Sequence, residues 1–413
     1  MIVMNQTVKK DSGPELSVLL TGYGTVEIHR SMFTALIDMG CHVFWAYDFD
    51  SANAFDRKID FVFYLNLLPL GTAHIDRLRK KLDRQNPDAI IIDIPLAHPV
   101  INTAGLNLST QNKTNQFLSD RRIFQWSICE TTIKEWNDFG FINGFFAPLG
   151  INTEVYLTPK KEAPIGNWFN KSSSLVKYSL IEATEFENKS DPSISDKTQS
   201  LFENKILYAG VPNSEWQDQI PLDKGDEIGF LRENFIPNSK EAYKKMSPIK
   251  VEPGDLRSFI QFHYSWTINV PLQRRRKMVR AIVERFGAST SIWGDGWDEY
   301  IDKFQPHSQT PRYFYGSAAC CVDFGSLQFD SPLYPRTCEI IKRQGLLISG
   351  ANGNSNEYFH ETQFRTVDEM LDLIELLFDT EKRHQMLEKQ MSFNSKFSFE
   401  RILYNILQRA YVS

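Results

Sequence analysis

Short apolar runs alternate with amphipathic stretches through the first 155 or so residues. Leu16-Ser-Val-Leu-Leu20 reads as a strand running into the turn Thr21-Gly-Tyr-Gly-Thr25. A helical period follows from Glu27 to Met39 and stops at Gly40. Cys41 to Tyr47 and Phe61 to Leu65 read as strands, and a charged helix is predicted from about Ala73 to Gln85. Pro87 to Asp93 and Ile123 to Ser127 are two more buried strands, the latter followed by a helix through Phe139. Uninterrupted apolar strands alternating with helices predict a parallel sheet covered on both faces.

The pattern changes between Pro159 and Asn204, where Lys-Lys, Ser-Ser-Ser and Asp-Pro-Ser segments predict a linker or insertion. A second alternation starts at Lys205-Ile-Leu-Tyr-Ala-Gly210. Residues 211–286 read as mostly helical. Thr290 to Gly294, Ala318 to Asp323 and Leu346 to Ser349 read as strands, with helices from Val367 to Phe378 and from Ser398 to Tyr411. The expected division is 1–158, a linker over 159–204, a second α/β domain over 205–397 with a helical insertion at 211–286, and a C-terminal helix, 398–413, free to cross back to the first domain.

With 413 residues the chain is too long for one ordinary core, which agrees with two domains. A net charge of −5 gives no general drive toward nucleic acid or an anionic surface. No apolar run approaches the roughly 20 residues of a membrane span, and the polar stretch Met1 to Pro14 lacks a signal-peptide core. Five cysteines without CxxC spacing argue against metal or redox chemistry and for a reducing cytoplasm.

The stretch Ser331-Pro-Leu-Tyr-Pro-Arg-Thr-Cys-Glu339 carries the most chemistry. Pro335 suits a first helical turn and Gly345 a stop, before the strand at Leu346. Arg336 and Glu339, three apart, share one side of that helix near its start. Free N–H groups at a helix start favour a phosphate, and a carboxylate there can accept hydrogen bonds from ribose hydroxyls. Diphosphate and ribose together are the handle of a nucleotide-sugar. The plain alternative is an exposed helical ion pair worth a few tenths of a kcal/mol.

Two α/β halves, a polar joint and an Arg-x-x-Glu helix resemble the GT-B glycosyltransferases, in particular the CgeB/YkvP-like branch of the group-1 and family-4 relatives. The matching landmarks, in order, are Phe146 to Pro159, Ile206-Leu-Tyr-Ala-Gly210, Ile292-Trp-Gly-Asp-Gly-Trp297, Arg336-Thr-Cys-Glu339 with Gly345 to Ser349, and Glu357-Tyr358 with Thr366 to Leu373. The resemblance implies two Rossmann-like domains facing each other across a cleft, and transfer of a sugar from a nucleotide-sugar donor to a cell-surface glycan, lipopolysaccharide or protein acceptor. The donor would be substrate, with no separate cofactor, no metal, no nucleic acid and no transmembrane segment, leaving room for contact at a membrane surface. Arg336, Glu339, Gly294, Trp297, Gly325, Ser326 and Ser331 would hold the donor. Gly294 and Trp297 would border the base, and Gly325, Ser326 and Ser331 would cradle phosphate. Two departures stand out: Val211-Pro-Asn-Ser-Glu215 lacks the Arg or Lys that many relatives place after Gly210, and residues 211–270 have no counterpart. Arg274-Arg-Arg-Lys277 could supply the missing charge, although such a run is most often a solvated helix face.

Gly22, Tyr23 and Gly24 form the turn expected on the acceptor side, where a plain tight turn is equally consistent with Gly-x-Gly. His98, His29 and Asp93 are the candidate bases near the carboxyl ends of first-domain strands, with Glu130 a weaker fourth. For each, packing or capping is the simpler role. Phe262, Tyr264 and Trp266 alternate as a strand would, and read as core. A nucleotide-sugar epimerase on the same fold and a non-catalytic nucleotide-sugar-binding scaffold remain the rival functions.

Overall fold

A computed structural model describes residues 16–22, 26–45, 58–65, 72–95, 122–137, 143–150, 157–159, 186–188, 205–213, 218, 220–236, 238–252, 255–301, 315–327, 334–351, 359–392 and 397–412. His98, Tyr23, Gly24, Ser331 and the Glu357-Tyr358 landmark lie outside them.

The first domain is a six-stranded sheet. In chain order its elements are β1 (Ser17–Gly22), α1 (Val26–Asp38), β2 (His42–Trp45), β3 (Phe61–Leu65), α2 (Thr72–Gln85), β4 (Ile90–Ile94), β5 (Ile123–Ser127), α3 (Glu130–Asn137) and β6 (Gly144–Phe146). The strand order is β2-β1-β3-β4-β5-β6, and every pair is parallel. Strands β7 (Leu157–Pro159) and β8 (Phe186–Asn188) form a separate antiparallel pair within the polar stretch.

The second domain begins at β9 (Ile206–Ala209). Helices α4 (Asp226–Glu233), α5 (Ser239–Met246) and α6 (Leu256–Thr267) follow, then a π-turn (Ile268–Leu272) and α7 (Gln273–Phe286). Next come β10 (Thr290–Trp293), β11 (Cys320–Asp323), α8 (Pro335–Lys342), β12 (Leu347–Gly350), β13 (Gln363–Phe364), α9 (Val367–Leu376), α10 (Thr380–Ser392) and α11 (Phe399–Val412). The sheet order is β10-β9-β11-β12-β13, again all parallel. Two doubly wound parallel sheets in one chain are the GT-B architecture.

Chain order reverses direction across each sheet at one place: between β1 and β3 in the first, and between β9 and β11 in the second. Open α/β sheets bind ligands outside the carboxyl ends of the strands at such a point. Each sheet therefore offers one crevice.

The segment holding Phe262, Tyr264 and Trp266 is helical, not extended. Asp255 caps α6 by accepting from the N–H groups of Arg257 and Ser258. Phe262 and Trp266, four apart, then fall on one face and pack with Ile228, Leu231, Tyr243 and Val270. A proline, Pro271, sits inside the continuing helix, and the wider π-turn accommodates its missing N–H. The stop of α8 also differs from expectation. Gln344, not Gly345, takes the left-handed position (φ 58°), with Gln344 N–H donating to Ile341 O and Gly345 N–H to Ile340 O. Gly345 is needed for space instead: a Cβ there would lie 2.8 Å from Tyr315 O.

The two domains touch through the end of the chain. Phe399, Ile402, Leu403, Ile406 and Leu407 of α11 share a core with Ile28, Met32 and Leu36 of α1, and Phe399 leaves no room for a side chain at Gly150. Lys342 of α8 reaches Ser31 of α1 at 3.1 Å. Lys240 of α5 pairs with Glu135 of α3 at 2.6 Å, both mostly buried.

Candidate functional site

Three loops leave the carboxyl ends of β9, β10 and β11, and α8 begins beside them. Asp323, the last residue of β11, is 1% exposed and organises the group. Its Oδ1 accepts from the Gly325 N–H at 3.2 Å and faces Arg336 Nη1 at 3.5 Å. Its Oδ2 accepts from the Thr337 hydroxyl at 2.7 Å. Two successive residues of the first turn of α8 are thus tied to the end of a strand.

About a fifth of the Arg336 side chain stays accessible (21%). Burial works against its charge, but the Asp323 carboxylate and the neighbouring Tyr208, Tyr334 and Tyr315 outweigh that, so its pKa lies above the usual arginine range. A permanent cation is therefore held beside Gly210. A Cβ built on Gly210 would lie 2.6 Å from the Tyr208 hydroxyl and 3.2 Å from Arg336 Nη1, so only glycine leaves both groups their space.

Gly294 follows β10 with φ 135°, and its Cα packs on the backbone of Gly210. Trp297 is fully buried, and its indole N–H donates to Gly210 O at 2.6 Å. Expected to border a base, Trp297 instead braces the loop that follows β9, and its ring packs edge-on to Tyr208. Gly325 (φ 75°) makes the turn after β11, and Ser326 beside it is half-buried. Glu339 lies one turn along α8 from Arg336, also half-buried. Arg336, Gly294 and Trp297 thus converge on Gly210, Gly325 joins Arg336 through Asp323, and Ser326 and Glu339 lie on the adjoining turns.

The basic run is not a solvated face. Arg274 donates twice to Leu231 O, at 3.1 and 2.6 Å, and stacks on Phe235. Arg276 donates to Pro212 O at 2.7 Å and to Asn213 Oδ1 at 2.9 Å, over the Tyr300 ring. Only Lys277 keeps to the surface, where it pairs with Glu233.

In the first domain, Gly22 ends β1 with φ 101°, and any side chain there would run into the Leu65 carbonyl of β3. Near the carboxyl ends of the strands, Thr21, Tyr64, Asp93 and Gln125 stand in register across β1, β3, β4 and β5. Their neighbours Leu20, Phe63, Ile92, Phe124 and Trp126 belong to the core shared with α1, so the four polar side chains project from the opposite face. All four are buried. Among the described residues, the Thr21 hydroxyl and both ends of the Gln125 amide have no hydrogen-bond partner. A buried row of this kind is where protein polar groups meet water or ligand.

His29 lies on the first turns of α1, buried, with Nε2 donating to Thr21 O at 3.2 Å. Burial pushes its pKa down to about 4, against a smaller upward push from that bond. The ring is neutral at pH 7 and braces the end of β1. Glu130, the first residue of α3, is exposed. Because the unfolded chain protonates this histidine near 6.5 and the folded protein only near 4, stability is expected to fall as pH drops through that window. The full effect is on the order of 3 kcal/mol. Urea unfolding of wild type and His29→Gln from pH 7 to 4 measures it: the variant should show a flatter acid limb, and identical limbs would place the acid sensitivity elsewhere.

Asp323, Thr337, Tyr208 and Gly210 were not singled out for these roles by the sequence. The only signal for Asp323 was a lone carboxylate ending an apolar run.

No family model matches the chain, and no curated protein matches it in sequence. Solved structures similar to it include HepE of Anabaena in complex with UDP-glucose, at 9% identity and TM-score 0.46, covering 96% of this chain and 100% of that one. The phage T4 β-glucosyltransferase is similar at 10% identity and TM-score 0.41, covering 96% and 99%. An α1,3-fucosyltransferase is similar at 12% identity and TM-score 0.40, covering 98% and 93%.

Proposed function

We propose that the chain is a metal-independent glycosyltransferase of the cytoplasm, affiliated with the CgeB/YkvP-like branch, that moves a sugar from a nucleotide-sugar to an acceptor on the first domain. The observation that carries the reading is Arg336, a fixed cation at the start of α8, at the reversal point between β9 and β11. Transfer requires charge building on the leaving diphosphate to be stabilised while the anomeric carbon gains oxocarbenium character. In this reading Arg336 and the free N–H groups of α8 meet the diphosphate, with Gly325, Ser326 and Ser331 around it. Glu339 accepts from the ribose hydroxyls, and Gly294 and Trp297 fix the loop beside the base. The acceptor sits near the Gly22-Tyr23-Gly24 turn. Asp93 in the polar row, or His98, takes its proton; His29, buried and bonded to Thr21 O, braces the end of β1. The acceptor is a glycan, a lipid-linked group or a protein.

A panel of sugar-nucleotides in thermal unfolding tests this, since a ligand at 100 times its Kd adds roughly 2.7 kcal/mol. One of them should raise the unfolding temperature, and Glu339→Ala should abolish the rise without unfolding the free protein. An unchanged rise removes Glu339 from the site. Slow release of nucleoside diphosphate from the bound donor marks a transferase, and interconversion of two sugar-nucleotides an epimerase. Binding without turnover marks a scaffold, the reading favoured by the uncharged Val211-Pro212-Asn213 loop.

A further inference from the structure

The loop after β9 lacks a cation of its own, yet a guanidinium comes to it from elsewhere. Arg275, on the first turn of α7, is 5% exposed. Its Nη1 donates to Val211 O and its Nη2 to Gly325 O, both at 3.1 Å. One side chain therefore spans the reversal point, joining the loop after β9 to the loop after β11. It does so with neutral carbonyls. Among the described residues its Nε–H has no acceptor.

Beside Arg336, at Gly210, stands Tyr208. Its side chain is fully buried, and its hydroxyl has no hydrogen-bond partner among the described residues. The groups that bear on that hydroxyl are Arg275, Arg336, Asp323 and Tyr334: two guanidiniums, one carboxylate and one phenol. A buried hydroxyl with nothing to donate to has lost its water without a partner to replace it. A buried cation facing only carbonyls is likewise incomplete. Both shortfalls have one sign: each is relieved by an anionic oxygen arriving at Gly210, where a missing side chain leaves Tyr208 and Arg336 side by side.

We propose that Arg275 and Tyr208 supply the anion-binding groups that the loop after β9 lacks, and that their ligand is the diphosphate of a nucleotide; this rests on the donor-site reading above. Tyr208 donates its O–H to a phosphate oxygen. Arg275 is a positioning residue: it holds the two loops at the spacing the diphosphate needs and adds a second positive charge. Helix α7, the last of the helical insertion over 211–286, thereby acquires a task, because it carries Arg275 to the site.

Calorimetric titration with UDP, GDP, ADP and dTDP, each beside its nucleoside, tests this on wild type, Tyr208→Phe, Arg275→Met and Arg275→Lys. The best diphosphate should bind Tyr208→Phe at least tenfold more weakly, while the nucleoside binds equally. The free Tyr208→Phe protein should melt no lower than wild type, because only an unpaired hydroxyl is lost. Arg275→Met should bind the diphosphate more weakly still and with a shallower salt dependence, and Arg275→Lys should recover part of both. If Arg275→Met does not fold, Tyr208→Phe and Arg275→Lys decide alone. Unchanged diphosphate binding in the variants, or equal losses for diphosphate and nucleoside, overturns the inference and leaves the donor site standing. A wild type that binds none of the four removes the donor-site reading and the inference together.

Discussion

Asp323→Ala is expected to lower the stability of the second domain by about 3 kcal/mol, the lower end of what breaking a buried ion pair costs. The lower end applies because Arg336 keeps a fifth of its side chain accessible while Asp323 keeps almost none. Three partners are lost at once: the Arg336 guanidinium, the Thr337 hydroxyl and the Gly325 N–H. Two of them belong to the first turn of α8 and one to the turn after β11, so the substitution frees both pieces of the site. Asp323→Asn keeps an acceptor for the Gly325 N–H and loses the charge, and should fall between wild type and alanine. Thermal and urea unfolding of the three proteins measure the order. If alanine costs less than about 0.5 kcal/mol, typical of a neutral surface change, the carboxylate is not what anchors Arg336, and the donor site loses its organising residue.

How much of this could be read from the chain follows from which interactions are local. The strands were legible because a parallel sheet buried on both faces leaves apolar runs, as in Phe61 to Leu65 and Ile90 to Ile92. Helix α8 was legible because Pro335 marks its start within the chain itself. Where a pattern fits two periods it misled: Phe262, Tyr264 and Trp266 satisfy an alternation of two, and their i,i+4 pairing shows only once Asp255 has capped the turn. Helix α10, with few buried positions, carried too weak a stripe to be noticed. The site divides in the same way. Arg336 and Glu339 share one helix, so spacing sufficed. Arg275 meets Val211 across 64 residues and Gly325 across 50, and no local rule reports that an arginine in a basic run is turned inward. Tyr208 lay inside an apolar strand, where its ring was visible as core and its hydroxyl was not.

Gly294→Ala is expected to abolish nucleotide binding, because the new methyl group meets backbone, which cannot rotate away. A Cβ at Gly294 would lie 2.7 Å from the carbonyl carbon of Gly210 and closer still to its oxygen, and φ 135° is a conformation that side chains rarely adopt. The Gly210 oxygen already accepts from Trp297 at 2.6 Å, and the tryptophan is fully buried, so the loop cannot shift without dislodging that ring. Overpacking of this sort costs typically 1–3 kcal/mol. Displacing Gly210 also disturbs the space beside Tyr208 and Arg336 in which the proposed diphosphate oxygen would sit. The expected result is a protein that folds with a lowered unfolding temperature and binds the best nucleoside diphosphate at least a hundredfold more weakly. Gly287→Ala is the control, since it too carries a positive φ (46°) but has nothing within 4 Å of the added carbon. It should lose stability while keeping its affinity. If Gly294→Ala also keeps wild-type affinity, the approach of the β10 loop to Gly210 has no part in donor binding, and the site must be sought at the other reversal point, between β1 and β3.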